Sequence, residues 1–196
     1  MTTITTGVLV FEGAEELDVV GPWEVFTMAR REGDAVVTIA QSLAPVRCAK
    51  GMRILPDHTF EDAPALDVLI VPGGQGARIE VDNPALLAWI AAVAPGCAWV
   101  TSVCTGSFLL RAAGPARGKR VTTHWSSIDR LRDEDEGPVH ERVRYVRDGN
   151  LVTSAGVSAG LDMALWVVGQ IYGVEHARVT QYAMEYEPAP PYAALV

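Results

Sequence analysis

In Ala98-Trp-Val-Thr-Ser-Val-Cys104-Thr-Gly-Ser-Phe-Leu-Leu-Arg-Ala-Ala-Gly114 a strand pattern gives way to a helix pattern within one residue. Trp99, Val100, Thr101 and Val103 are apolar or β-prone, and the segment after Cys104 is helix-prone until Gly114, a C-terminal stop. Cys104 stands at the join, with Ser102 two positions before it and Gly106 two after. A sharp strand-to-helix turn needs small residues there, because the flanking chains crowd together. A thiol on such a turn meets the positive end of a helix, which favours thiolate. Lowering a thiol pKa by two to three units takes roughly 3–4 kcal/mol, so one helix end needs help from a neighbour. The alternative is a small buried hydrophobe, the common fate of a free cysteine. Cys97 opens the apolar strand and reads as core; Cys48, near a turn, is given no role.

The rest of the chain alternates in the same way. Gly7–Phe11, Val36–Ala40 and Leu66–Val71 are short apolar runs, as in strands buried on both faces of a parallel sheet. A helix is expected from Gly21-Pro22 to Gly33, and another over Pro84–Ala94 with Asn83 as its cap. Val46–Ala49 and Met52–Leu55 flank Lys50-Gly51 as a hairpin, and Asp148-Gly149-Asn150 marks a second one. Lys119–Thr122 reads as a further strand, and Val157–Tyr172 as a long helix with Asp162 near its positive end. Strands alternating with helices predict a layered α/β fold with a mostly parallel sheet between helices, plus a small β-hairpin, in one domain over 1–196.

Two loops at the carboxyl ends of strands draw attention, because ligand crevices form there in open α/β sheets. Asp18 follows the first strand between Leu17 and Val19, where an acid is partly buried and its pKa raised; a helix cap or a solvated acid is the alternative. Pro72-Gly73-Gly74 follows the third, with backbone N–H groups free to approach a ligand, or forming a plain tight turn. Glu24 is expected in the first turn of its helix.

The chain has 196 residues, half of them apolar, and a formal net charge of −8. That acidity argues against a nucleic-acid partner. Three scattered cysteines form neither a disulfide framework nor a metal site, so no cofactor or metal is expected. The N-terminus shows no signal-peptide pattern and no run is long enough to cross a membrane, so a reducing, cytoplasmic setting is expected.

Six segments together resemble the ThiJ/PfpI family, flavodoxin-like relatives of class I glutamine amidotransferases. They are Leu-Asp-Val-Val-Gly-Pro-Trp-Glu-Val-Phe (17–26), Val-Pro-Gly-Gly (71–74), Ser-Val-Cys-Thr-Gly-Ser (102–107), Val-Thr-Thr-His-Trp (121–125), Thr-Ser-Ala-Gly-Val-Ser-Ala-Gly-Leu-Asp-Met-Ala (153–164) and Glu-Tyr-Glu-Pro-Ala-Pro-Pro-Tyr (185–192). The first segment, Thr105 and the proline-rich tail look most like the isonitrile hydratase branch, and they are similar to the sensor domains of AraC-type regulators. The resemblance implies a flavodoxin-like fold and a homodimer acting on a small molecule. It casts Cys104 as nucleophile, Asp18 as its acidic partner, and the N–H groups of Gly74 and Thr105 as an oxyanion-hole-like pair. It places His124 near the cysteine, either orienting the site or filling it. Peptidase-like relatives carry His directly after the cysteine; Thr105 stands there in this chain, which sets the peptidase reading aside. The regulators continue into a DNA-binding domain, which this chain, ending at Val196, is expected to lack. The implied reaction is hydration of an isonitrile to an N-substituted formamide. The alternatives are a glyoxalase-like or amidase-like reaction on a small carbonyl, and a ligand or redox sensor in which Cys104 is oxidised.

Overall fold

The structure, a computed structural model, describes residues 3–187. In chain order its first half runs β1 (Thr5–Leu9), α1 (Glu16–Ala29), β2 (Ala35–Ala40), β3 (Val46–Arg47), β4 (Arg53–Ile54), β5 (His58–Thr59), β6 (Val68–Val71), α2 (Ala77–Glu80) and α3 (Pro84–Val93). The second half runs β7 (Trp99–Val103), α4 (Gly106–Ala113), α5 (Ile128–Asp133), β8 (Tyr145–Asp148), β9 (Leu151–Ser154), α6 (Ala159–Tyr172) and α7 (Val174–Ala183). Seven strands form one sheet in the order β5-β2-β1-β6-β7-β9-β8. Every pairing in it is parallel except β8 with β9. The parallel strands are short and apolar because helices cover both faces: α1, α6 and α7 pack together in one group, α2, α3 and α4 in another. Strands β3 and β4 form the separate hairpin expected around Lys50-Gly51.

The chain leaves β1 to one side, for β2, and returns to the other, for β6. The carboxyl ends of β1 and β6 therefore flank the point where the winding reverses, the place where open α/β sheets hold ligands. Asp18 follows β1, Gly73 and Gly74 follow β6, and Cys104 directly follows β7, the strand beside β6.

Three expectations need correction. Helix α1 begins at Glu16, so Asp18 lies in its first turn rather than in a loop, Pro22 stands inside it, and Glu24 is mid-helix. Proline cannot donate to the preceding turn, but Pro22 is buried against Gly160 of α6, and Val19, Val25 and Phe26 are buried on either side of it. Packing along the whole face outweighs the lost bond. Residues 119–122 make one parallel bridge, Val121 with Val139, and no strand. Thr122 is bonded through side chains instead: its N–H donates to Thr153 Oγ1 at 2.8 Å and its hydroxyl to His140 O at 2.8 Å. The long helix α6 starts at Ala159, two residues later than expected, after Val157 with φ +50°. Of the proline-rich tail, residues 188–192 lie outside the described residues; Tyr186 docks through its hydroxyl on Asp162 Oδ1 at 2.8 Å.

Candidate active site

Cys104 takes φ +55°, the left-handed conformation that turns β7 into α4 within a single residue. The turn is held from three sides. The Cys104 N–H is shared between Ser154 O at 3.2 Å and Ala155 O at 3.1 Å, at the end of β9. Its carbonyl accepts the Thr123 hydroxyl at 2.9 Å and the Ser107 hydroxyl at 3.2 Å. Gly106 leaves no room for a side chain, since a Cβ there would sit 2.2 Å from Val71 O. The small residue required at that position by the sequence is thus required by contact with β6. Strain of this kind persists only where neighbours over-determine it, and it clusters at functional sites.

Asp18 is fully buried. Its Oδ2 accepts the Gly73 N–H at 3.0 Å. Its Oδ1 has no hydrogen-bond partner of good geometry among the described residues, although the Cys104 thiol is close enough to favour the carboxylate. Burial dominates: it pushes the Asp18 carboxyl up to about 7, with the Glu15 charge adding to the effect and the Gly73 N–H and Cys104 thiol opposing it. Cys104 is 7% exposed, and burial, with the Asp18 charge second, pushes its thiol up to about 12. Its contacts with the Thr105 N–H and hydroxyl act in the opposite direction and are the weaker influence. This corrects the expectation of a thiol made acidic by a helix end. At this depth desolvation and a facing carboxylate outweigh the helix and its N–H groups. Carboxyl and thiol titrate as one unit. Below pH ~7 the unit holds two protons; above that it holds one, and the thiol, pushed up to about 12, is the group that keeps it.

The two N–H groups expected as an oxyanion-hole-like pair are both engaged within the protein. The Gly74 N–H donates to Thr105 Oγ1 at 3.0 Å, and the Thr105 N–H points at the cysteine sulfur. Gly73 and Gly74 have distinct tasks. Gly73 holds Asp18 and lies so close to the elbow that a Cβ would come within 2.4 Å of Thr105 N. Gly74, at φ +116°, presses on Glu15, where a Cβ would be 2.3 Å from its N. His124 stands at the start of a short 3-10 turn, with Nδ1 facing Ser126 Oγ at 2.8 Å. Its ring lies on Gly156, where a Cβ would meet Cδ2 at 2.2 Å. Among the described residues no hydrogen bond joins it to Cys104 or Asp18. It lines a cavity of about 540 Å³ with Thr123, Trp125, Val143 and Arg144; Thr123 is also the residue that clamps the Cys104 carbonyl. No cluster of three or more His, Cys, Asp or Glu suited to a metal occurs among the described residues.

Sequence reasoning missed Thr123, Glu15 and Lys50. Thr123 had a signal, its place beside His124 in the Val-Thr-Thr-His-Trp segment. The other two had none beyond nearness to Asp18 and to the hairpin turn.

Residues 6–170 match the DJ-1/PfpI family. The chain belongs to that family. Within it, the chain is similar to the isonitrile hydratase of Pseudomonas putida, 42% identical over 186 residues, covering 95% of this chain and 80% of the relative. It is 29% identical over 166 residues to the glutathione-independent glyoxalase DJR-1.2 of Caenorhabditis elegans, covering 84% of this chain and 86% of that one. A solved structure of a ThiJ/PfpI family protein from Pseudomonas syringae superposes with a TM-score of 0.91 at 36% identity, covering all of this chain and 80% of the other. The flavodoxin-like layering expected from the sequence is the architecture of this family's solved structures. No helix among the described residues is long and apolar enough to cross a membrane.

Proposed function

We propose that this DJ-1/PfpI family member hydrates an isonitrile to an N-substituted formamide, with Cys104 as nucleophile and Asp18 as proton carrier. The observation that supports this most is a buried carboxyl facing a buried thiol, a pair that keeps one proton above pH ~7. In the reactive state Asp18 holds that proton and the sulfur is a thiolate, met by the Thr105 N–H. Asp18 delivers the proton to the terminal carbon of R–NC, and the sulfur attacks the same carbon, giving a thioimidate, R–N=CH–S–Cys104. Asp18, now a carboxylate, takes a proton from water as the water adds to that carbon, and passes it to nitrogen. The C–S bond then breaks; the hydroxyl proton goes to the departing sulfur and R–NH–CHO leaves.

Neither step builds a carbonyl oxyanion, because the adduct R–NH–CH(OH)–S is neutral. A site whose Gly74 N–H is already occupied by Thr105 suits that sequence better than acyl transfer, which draws on open N–H donors. In this reading Gly73 fixes Asp18, Thr105 faces the sulfur, Gly74 shapes the loop, and His124 fills the wall of the site. The cysteine-dependent hydratase is proposed as one domain, a cytoplasmic homodimer. The test is formamide production from a simple alkyl isonitrile by the wild type, Cys104→Ala and Asp18→Asn, with methylglyoxal as a second substrate. Turnover of methylglyoxal without any formamide would replace this reading with the glyoxalase-like one.

A further inference from the structure

Two charged residues beside the pair take no part in the chemistry just described. Glu15 immediately precedes α1. Its N–H donates to Gly73 O at 2.9 Å, on the same residue whose N–H holds Asp18. Its side chain is 17% exposed and forms an ion pair with Lys50 Nζ. Lys50, 68% exposed, sits in the turn of the β3–β4 hairpin. That turn is fixed to the chain on both sides of Glu15: the Ala49 N–H donates to Ala14 O at 2.8 Å, and the Lys50 N–H to Glu16 Oε1 at 2.7 Å.

The other charged groups nearby are occupied differently. Glu12 Oε1 accepts the Arg47 N–H at 3.0 Å, and Glu16 Oε1 is held by the hairpin's N–H groups. The β6 loop and the β7 elbow present N–H groups to the pair rather than charges. We propose that Lys50, held over Glu15 by the hairpin, is a positioning residue: it neutralises Glu15 and so fixes the pH at which the Asp18–Cys104 pair enters its singly protonated, reactive state. The sign follows from charge. The Glu15 carboxylate favours the protonated forms of both Asp18 and Cys104, and Lys50 opposes it at Asp18. Removing the cation makes the first proton leave the pair at higher pH; removing Glu15 makes it leave at lower pH. The inference rests on the pair acting as a unit, as in the proposed reaction.

The test measures Cys104 alkylation by iodoacetamide against pH, resolved by peptide, beside isonitrile turnover by the same samples. Lys50→Met should move the ascending limb of both profiles up by about 0.5 pH unit, and Glu15→Gln should move it down by a similar amount. Lys50→Arg should restore the wild-type profile. In Glu15→Gln the further change Lys50→Met should move the limb up again, because Lys50 also acts on Asp18 directly, and high salt should shrink every shift because Lys50 is exposed. A Lys50→Met profile that overlays the wild type, or Lys50→Arg shifting as far as Lys50→Met, would overturn the proposal. Shifted alkylation without isonitrile turnover would keep this inference and defeat the proposed reaction; turnover with unshifted profiles would do the reverse.

Discussion

At Asp18 the chain keeps a carboxyl group in a place that resists its charge, and the consequence is measurable as stability. The folded protein holds the Asp18 proton up to about pH 7, whereas the unfolded chain releases it near 3.8. A raised folded pKa means stability that is fully present below the unfolded value and lost as pH rises through the folded one. By that sign Asp18 lowers stability progressively between those two values, by about 4 kcal/mol as an upper bound. Asp18→Asn should therefore melt higher than the wild type at mildly alkaline pH. The difference should disappear on acidification, as thermal unfolding across pH will show. Equal melting temperatures in alkali would mean that the carboxylate is not held at a cost. The raised pKa of Asp18 was legible from its apolar neighbours Leu17 and Val19. The fate of Cys104 was not, because a sequence shows the helix end but not the depth of burial that outweighs it. Nor could two adjacent glycines reveal that Gly73 holds Asp18 while the Gly74 N–H is taken by a hydroxyl.

The elbow joins β7 to α4, and its tolerance for bulk is set by β6. Gly106→Ala places a methyl group 2.2 Å from the Val71 carbonyl, which cannot rotate away. The substitution should cost at least about 3 kcal/mol, or roughly 6–12 °C in Tm, and should slow Cys104 alkylation as the turn is displaced. A Gly106→Ala protein that melts with the wild type would show that the turn is not packed this tightly. The strand–turn–helix pattern was readable here because small residues flank Cys104 in an otherwise apolar run. Element boundaries were less legible. Pro22 suggested a helix start because proline is favoured in a first turn, yet burial against α6 carries the helix back to Glu16. Residues 119–122 have a strand's composition, but Thr122 is bonded through Thr153 and His140, a pattern that no propensity encodes.

Across the whole molecule the alternation of apolar runs and helical segments was enough to predict the parallel sheet and its covering helices. It could not show that the winding reverses between β1 and β6, which brings residues 18, 73 and 104 together from three distant segments. The proposed homodimer belongs to this scale: light scattering should give twice the 21.0 kDa chain mass, and a monomeric mass would contradict it. The proposed chemistry requires carboxyl and thiol together. The most direct test follows formamide from an alkyl isonitrile with the wild type, Cys104→Ala and Asp18→Asn side by side, each confirmed as folded. The account predicts product from the wild type alone, rising with pH through about 7 as the pair loses its first proton. Product at the wild-type rate from either variant would contradict it.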